Sequence, residues 1–352
     1  MKYHCLIGLM AALLLLGCSR ETVEQVPVDF DATEQAFEDL VASIELLPLQ
    51  GTPDSRMGYA PGLYTADGNW FLLQRDPMPE PDFRRYKLYR YDSEGHFLNA
   101  IGRKGERLDE IFDIQGIQFR DGHIVVFSLE PAGGGQKAIT YDYEGNVLDA
   151  RHYPFAGGQS LQLPDGILTY YGHGDRHGRE GRLMLYSEEG LPRQAFLTER
   201  TAAMNFQPSA DVLCPTEDGI VVLDTFSDTL WRYNAGQLKP FIAFDMGPYT
   251  IDDEFFATSD MREAAQRLFK GAYAMVNRYL DGGGSRLVEL SVQTADRKRS
   301  WLYGHNDGSG WHWFRACAPY AGSFQLLVGR QACCLLEPEK DNYVIARITF
   351  SK

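Results

Sequence analysis

The segment Gly172-His173-Gly174-Asp175-Arg176-His177-Gly178 carries the densest group of ligating side chains in the sequence. In an extended chain, side chains two positions apart share a face, so His173, Asp175 and His177 would converge as a ligand set for Zn²⁺ or another divalent ion. The same glycines and arginine suit a solvated hairpin loop. Gly304-His305-Asn306-Asp307-Gly308, with Trp311 and Trp313 beyond, pairs hydrogen-bonding groups with aromatic faces of the kind that stack on the apolar side of a sugar. The competing reading makes Asp307-Gly308 a turn and the two tryptophans packing groups. In Gly102-Arg103-Lys104-Gly105-Glu106, backbone amides with Arg103 and Lys104 would cradle an anion, or the segment is a solvated connection. No nucleophile elbow, His-Glu-x-x-His helix or dinucleotide fingerprint occurs, so catalytic residues stay unknown and no cofactor is expected beyond the divalent metal considered above.

The amino terminus carries a different chemistry. Lys2 supplies a positive charge, Leu6 to Leu16 is unbroken Leu, Ile, Gly, Met and Ala, and Gly17-Cys18 follows. Charge, apolar core and small residue mark a cleaved secretion signal over residues 1–17, and the run is shorter than the ~20 apolar residues a spanning helix needs. Leu15-Leu16-Gly17-Cys18 resembles the lipobox of bacterial lipoproteins, which implies that Cys18 is lipidated and ties the chain to a bilayer, its acyl chains (palmitate among them) anchoring firmly where one alone is marginal. An ordinary cleaved signal with an incidental cysteine is the alternative. Ser19 resembles the residue found at that place in lipoproteins sorted to the outer membrane. Residues 18–40 are polar and acidic (Glu21, Glu24, Asp29, Asp31, Glu34) and read as a solvated tether to a domain at 41–352.

Losing Lys2 takes the formal charge from -14 to -15, which disfavours nucleic acid as a partner. The 35 glycines, 19 tyrosines and 20 phenylalanines, with few long helical patterns, favour an all-β fold. Of the remaining cysteines, Cys214, Cys317, Cys333 and Cys334 lack zinc-type spacing. Export would permit a disulfide from Cys317 to Cys333 or Cys334, whereas the simpler reading leaves all four as small buried groups.

What positions the candidate sites is a repeat. Tyr91-Asp92-Ser93-Glu94-Gly95, Tyr141-Asp142-Tyr143-Glu144-Gly145, Tyr186-Ser187-Glu188-Glu189-Gly190 and Tyr233-Asn234-Ala235-Gly236 lie 50, 45 and 47 residues apart. Each reads as strand, tight turn and strand. Asp67-Gly68, Asp121-Gly122, Asp165-Gly166 and Asp218-Gly219 supply a second hairpin per period, so each period holds about four strands, one blade of a β-propeller. Clear blades cover 59–102, 111–154, 157–199 and 204–247, with weaker units at 272–304 and 311–352. The ring is expected to close by pairing Ser43-Ile44-Glu45-Leu46-Leu47-Pro48-Leu49 beside the last strand, Tyr343 to Phe350. Asp260-x-x-Glu263 has capping-box spacing, and Met261, Ala264, Ala265 and Leu268 recur helically, giving a helix over about 260–270 between blades four and five, either a packed insertion or a lid on the central channel.

With Ser43 to Leu49, Tyr91-Asp92 through Ile101-Gly102-Arg103-Lys104-Gly105-Glu106, and Phe226-Ser227-Asp228-Thr229-Leu230-Trp231-Arg232-Tyr233, the chain resembles the six-bladed β-propeller lipoproteins of Gram-negative bacteria, which are similar to NHL-repeat propellers. Arg107-Leu108-Asp109-Glu110 departs from the Gly-Pro-Gly-Glu-like turn of that family. With Ser19 after the lipobox and no catalytic constellation, the chain reads as a cell-envelope protein, anchored at the outer membrane, whose propeller binds a glycan, peptide or partner protein on its loop face. The alternative is a propeller enzyme, either a polysaccharide-processing hydrolase or lyase or a metal-dependent lyase.

Overall fold

The computed structural model describes residues 23–51, 59–76, 85–173, 180–205, 211–339 and 342–351. Its strands form six small sheets in a ring, a six-bladed β-propeller. Blade one runs Tyr59–Ala66, Asn69–Asp76, Arg85–Tyr91 and Phe97–Ile101 from axis to rim. Blade two is Asp113–Arg120, His123–Leu129, Gln136–Asp142 and Val147–Tyr153, and blade three is Gln159–Leu163, Gly166–Tyr170, Leu183–Tyr186 and Pro192–Phe196. Blade four is Leu213–Thr216, Gly219–Leu223, Thr229–Asn234 and Gln237–Asp245; blade five is Tyr273–Gly282, Ser285–Gln293, Arg299–Asn306 and Trp311–Phe314. Blade six takes Phe324–Val328, Gln331–Glu339 and Asn342–Phe350 from the carboxyl end and its rim strand, Val41–Pro48, from near the amino end.

The repeat has a physical basis. Tyr91, Tyr141, Tyr186 and Tyr233 are all buried, while in the first three units the residue that follows organises the turn. Asp92 Oδ1 accepts from the backbone N–H of Glu94 (3.0 Å) and His96 (2.8 Å), and Asp142 Oδ1 from Asn146 (2.8 Å). Ser187 Oγ does the same for Glu189 and Leu191. Gly95 then takes φ 87°, a backbone region that a side chain would strain. The fourth unit has a tighter turn, with Ala235 and Gly236 both left-handed between the paired Asn234 and Gln237. Each Asp-Gly joins the two inner strands, and Ile124 to Phe127 and Ile220 to Leu223 are buried on both faces between neighbouring blades.

Ring closure follows the expected pairing: Ser43 lies opposite Thr349, Glu45 opposite Arg347 and Pro48 opposite Val344. The boundary between blades five and six differs. Trp311–Phe314 pairs with Arg299–Asn306 and so ends blade five rather than opening blade six. The turn that opens blade six is at Gly329, after Phe324–Val328, without an Asp-Gly to mark it.

The expected tether over 18–40 is also shorter. Glu24–Pro27 is a fifth strand on the rim of blade four, parallel to Gln237–Asp245, and Glu34–Leu40 is a helix capped by Thr33 and seated by buried Phe37 against Phe314. Between strand and helix the segment crosses blade five. Arg315 holds it by donating to the carbonyls of Phe30 (3.0 Å) and Ala32 (3.1 Å). Polar composition concealed this because the few buried apolar groups, Val26, Ala32 and Phe37, are isolated among polar residues, and the other contacts are made by backbone and by the part-buried Glu24–Arg286 pair.

The insertion between blades four and five contains two helices, Asp253–Ala257 and Met261–Lys270. Asp260 caps the second through Arg262 N (2.8 Å) and Glu263 N (2.9 Å). Ala264 and Leu268 are buried and Met261 is exposed, so the inward face is narrower than its apolar residues suggest.

Candidate ligand-binding channel

All six innermost strands or the residues leading into them border one axial channel of about 470 Å³. Tyr64, Gln115, Gln159, Asp211, Arg278 and Gln325 reach it, one from each blade in turn. Gln159 is structural: its Oε1 accepts from the N–H groups of Val212 (2.7 Å) and Leu213 (2.8 Å), fixing the chain on which Asp211 sits. The Tyr64 hydroxyl donates to Asp211 Oδ2 at 3.4 Å. Burial pushes the Asp211 carboxyl up, against the opposing influence of Arg278 and of the Tyr64 hydrogen bond. Arg278 is 7% exposed; its Nη1 donates to Gln325 Oε1 at 3.3 Å, and its Nε is buried without a partner among the described residues. A donor left unsatisfied at such a site calls for an explanation. Burial and the nearby Asp211 carboxylate also raise the Cys214 thiol well above its ordinary range, which keeps it protonated and unreactive.

A second cavity, of about 450 Å³, lies between blades three and four beside the insertion. Its wall contains a buried carboxylate bonded by two neighbouring side chains. Asp224 accepts from Arg182 Nε (2.9 Å) and Nη2 (2.6 Å) and from the Tyr170 hydroxyl (3.0 Å). Burial opposes ionisation of Asp224, but hydrogen bonds from His173 and Arg182 outweigh it and hold the group at about 2. The insertion packs Phe255, Ala264 and Leu268 against Phe226 and Met275, and its Phe256 borders this cavity. No residue of either helix borders the axial channel.

The residues singled out from sequence are dispersed. His173 is buried: Nδ1 accepts from Ala202 N–H (3.0 Å), which puts the ring proton on Nε2, 2.6 Å from the Thr225 carbonyl and 3.4 Å from Asp224 Oδ1. Both ring nitrogens are therefore engaged by the fold. Asp175 and His177 lie outside the described residues, as does Cys18. Asp92, Glu94 and His96 have ligand atoms within 4.8 Å of one another on an exposed hairpin, where hydrogen bonds of the turn account for Asp92 and His96.

Asn306 and Asp307 build the outer turn of blade five, accepting from Gly308 N (2.7 Å) and Ser309 N (3.0 Å). His305 is buried against Phe350, and burial lowers its imidazole to about 4. Trp311 and Trp313 stack on each other at 6.1 Å and edge onto Phe244 of blade four. Their indole N–H groups donate to Glu24 (2.8 Å) and to the Pro27 carbonyl (3.0 Å), so the amino-terminal strap lies over them. Arg103 is exposed and pairs loosely with Asp109 (3.6 Å) in the crossover from blade one to blade two. Lys104 bridges to Ile111 there. Cys214, Cys317, Cys333 and Cys334 are free thiols, with Cys333 and Cys334 in different core clusters on opposite faces of their strand.

The fold and its channel thus define a six-bladed propeller with an open polar axis. The chain belongs to the family described as "Domain of unknown function (DUF4934)", which it matches over residues 23–282. It is similar to the crystal structure of a Bacteroides fragilis NCTC 9343 protein described as exported, with 14% identity, a TM-score of 0.75, and coverage of 94% of this chain and 100% of that one. BamB from Moraxella catarrhalis (9% identity, TM-score 0.43, 88% of this chain and 100% of that one) and a glucose dehydrogenase (12%, 0.45, 88% and 100%) are more distant. Likeness at that level says nothing of activity. No curated protein matches the chain. No helix among the described residues is long and apolar enough to cross a membrane.

Proposed function

We propose that the chain is a binding module of the cell envelope, lipid-anchored through Cys18, that takes a glycan, peptide or partner-protein segment in the axial channel. One observation carries this reading: Tyr64, Asp211, Arg278 and Gln325, from four blades, converge where strand pairing does not require them, and Arg278 retains an unused buried donor. Polar groups converging from several elements on one cavity are the usual form of a ligand site. The raised Asp211 carboxyl favours the second reading, a hydrolase or lyase, because shifted carboxyls recur at catalytic centres.

Two experiments test the proposal. Palmitate labelling of cells should mark the wild-type chain and not Cys18→Ser, and an unlabelled wild type removes the anchor. A glycan and peptide screen with the full chain should yield ligands lost on Arg278→Met and recovered unchanged after incubation. Turnover of those ligands would establish the enzyme instead.

A further inference from the structure

We propose that the occupant of the axial channel is an uncharged sugar residue, held by Gln115, Asp211, Arg278 and Gln325; this rests on the reading of the channel as a ligand site. The argument begins with irregular strand pairing. In blade two the register slips between Ile114 and Gly116, in blade five between Val276 and Arg278, and in blade six between Phe324 and Leu326. Each slip inserts one residue, Gln115, Asn277 or Gln325, into an innermost strand. A bulge forfeits ladder pairing and re-aims the side chains at and beside it. Here Gln115, Arg278 and Gln325 all border the channel, so three of its planar polar groups stand at bulges in three separate blades. Gly116 accommodates the first of them, since a Cβ there would lie 2.6 Å from the Ser160 carbonyl oxygen.

The chemistry of the lining selects the ligand. Arg278 offers only donors, Asp211 as a carboxylate accepts and when protonated also donates, and the two glutamines offer both. Among the described residues bordering the channel Arg278 is the one cation, and Asp211 and Asp281 oppose it. A carboxylate or phosphate ligand would meet an excess of negative charge, and an ammonium would meet Arg278. Hydroxyl groups donate and accept at once and carry no charge, so a polyol satisfies both kinds of partner. Leu63, Ile117 and Phe119 complete the lining with apolar surface for the C–H faces of a pyranose ring. The volume of about 470 Å³ falls within the range of small-ligand pockets, about 300–1,000 Å³.

The test is saturation-transfer NMR on the full chain in detergent, with glucose, galactose, mannose and N-acetylglucosamine as neutral probes, glucuronate as an anionic probe and a tripeptide pool as a third class. At least one neutral sugar should bind, and more tightly than glucuronate. Asp211→Asn, which keeps the shape, and Gln115→Ala should each weaken it about tenfold, the effect of losing one charge-assisted or amide hydrogen bond. Thermal unfolding of both variants checks that they are folded. Binding by glucuronate or tripeptides alone, abolished by the same substitutions, overturns the sugar assignment and leaves the channel a ligand site. Neutral-sugar binding indifferent to both substitutions, or no binding by any probe, overturns the proposal.

Discussion

Asp224→Asn should destabilise the propeller by an amount that depends on pH in a defined way. The carboxylate ties blade four to Arg182 and Tyr170 of blade three while only 7% exposed. Its folded value of about 2 against an ordinary 3.8 corresponds to about 2–3 kcal/mol of stability at neutral pH. Because the folded value lies below the unfolded one, this contribution is complete above about pH 5 and is lost as pH falls through about 2, with roughly half gone at pH 3. Asparagine also leaves the buried Arg182 guanidinium without its counter-charge, which brings the total near pH 7 to about 3–5 kcal/mol. Urea unfolding of wild type and variant at a series of pH values measures the gap directly. It should be constant from neutrality to about pH 5 and narrow by about 1 kcal/mol on reaching pH 3. A gap below about 1 kcal/mol at neutral pH, or one that widens on acidification, would refute the assignment of Asp224 as the ionised hub between these blades.

Further predictions follow the same reasoning. The His305 imidazole should stay neutral down to about pH 4, as burial lowers its folded value, so stability should fall as pH drops from about 6.5 towards 4; an NMR titration midpoint near 6.5 would contradict its burial. Glu24→Ala removes the acceptor of Arg286 (2.7 Å) and Trp311 (2.8 Å); the loss should be about 1 kcal/mol after discounting for solvent screening, with faster protease cleavage before residue 41, and unchanged cleavage would mean that the strap is held elsewhere. Cys333, its thiol pushed up to about 12 by burial, and Cys334, raised by burial as well, should resist iodoacetamide in the native protein and react on denaturation; native labelling of either would show the last blade to be open.

The blades that sequence revealed clearly are those whose turns are locally encoded. Asp67-Gly68 and Asp121-Gly122 both take left-handed φ values, and a short-range signal suffices to find them. In blade five the turn falls on Gly283-Gly284, just past Asp281-Gly282, and in blade six on Gly329, which follows no Asp, so the boundary between them was misplaced onto Trp311–Phe314. The strap was illegible for a different reason. Glu24 pairs with Arg286 and Trp311, more than 260 positions away, and nothing near Glu24 distinguishes it from the other acidic residues of a solvated linker. The channel is harder still. Tyr64, Gln115, Asp211, Arg278 and Gln325 come from five blades with no shared motif, and three of them are placed at bulges, which leave no periodic trace. The local clusters that looked chemical, around His173 and Asn306, turned out to be bonded within the fold.

The strap decides how the wheel is mounted. The chain enters the described fold at the tread of blade four, half-way up its height, because Glu24 lies opposite Ile242 in the middle of the outermost regular strand. A lipid carried on Cys18 would be at most about 20 Å from that point, six residues at full extension. Under the proposed anchoring, the rim of blade four would stay within that reach of the bilayer, with the openings of the channel away from the point of attachment.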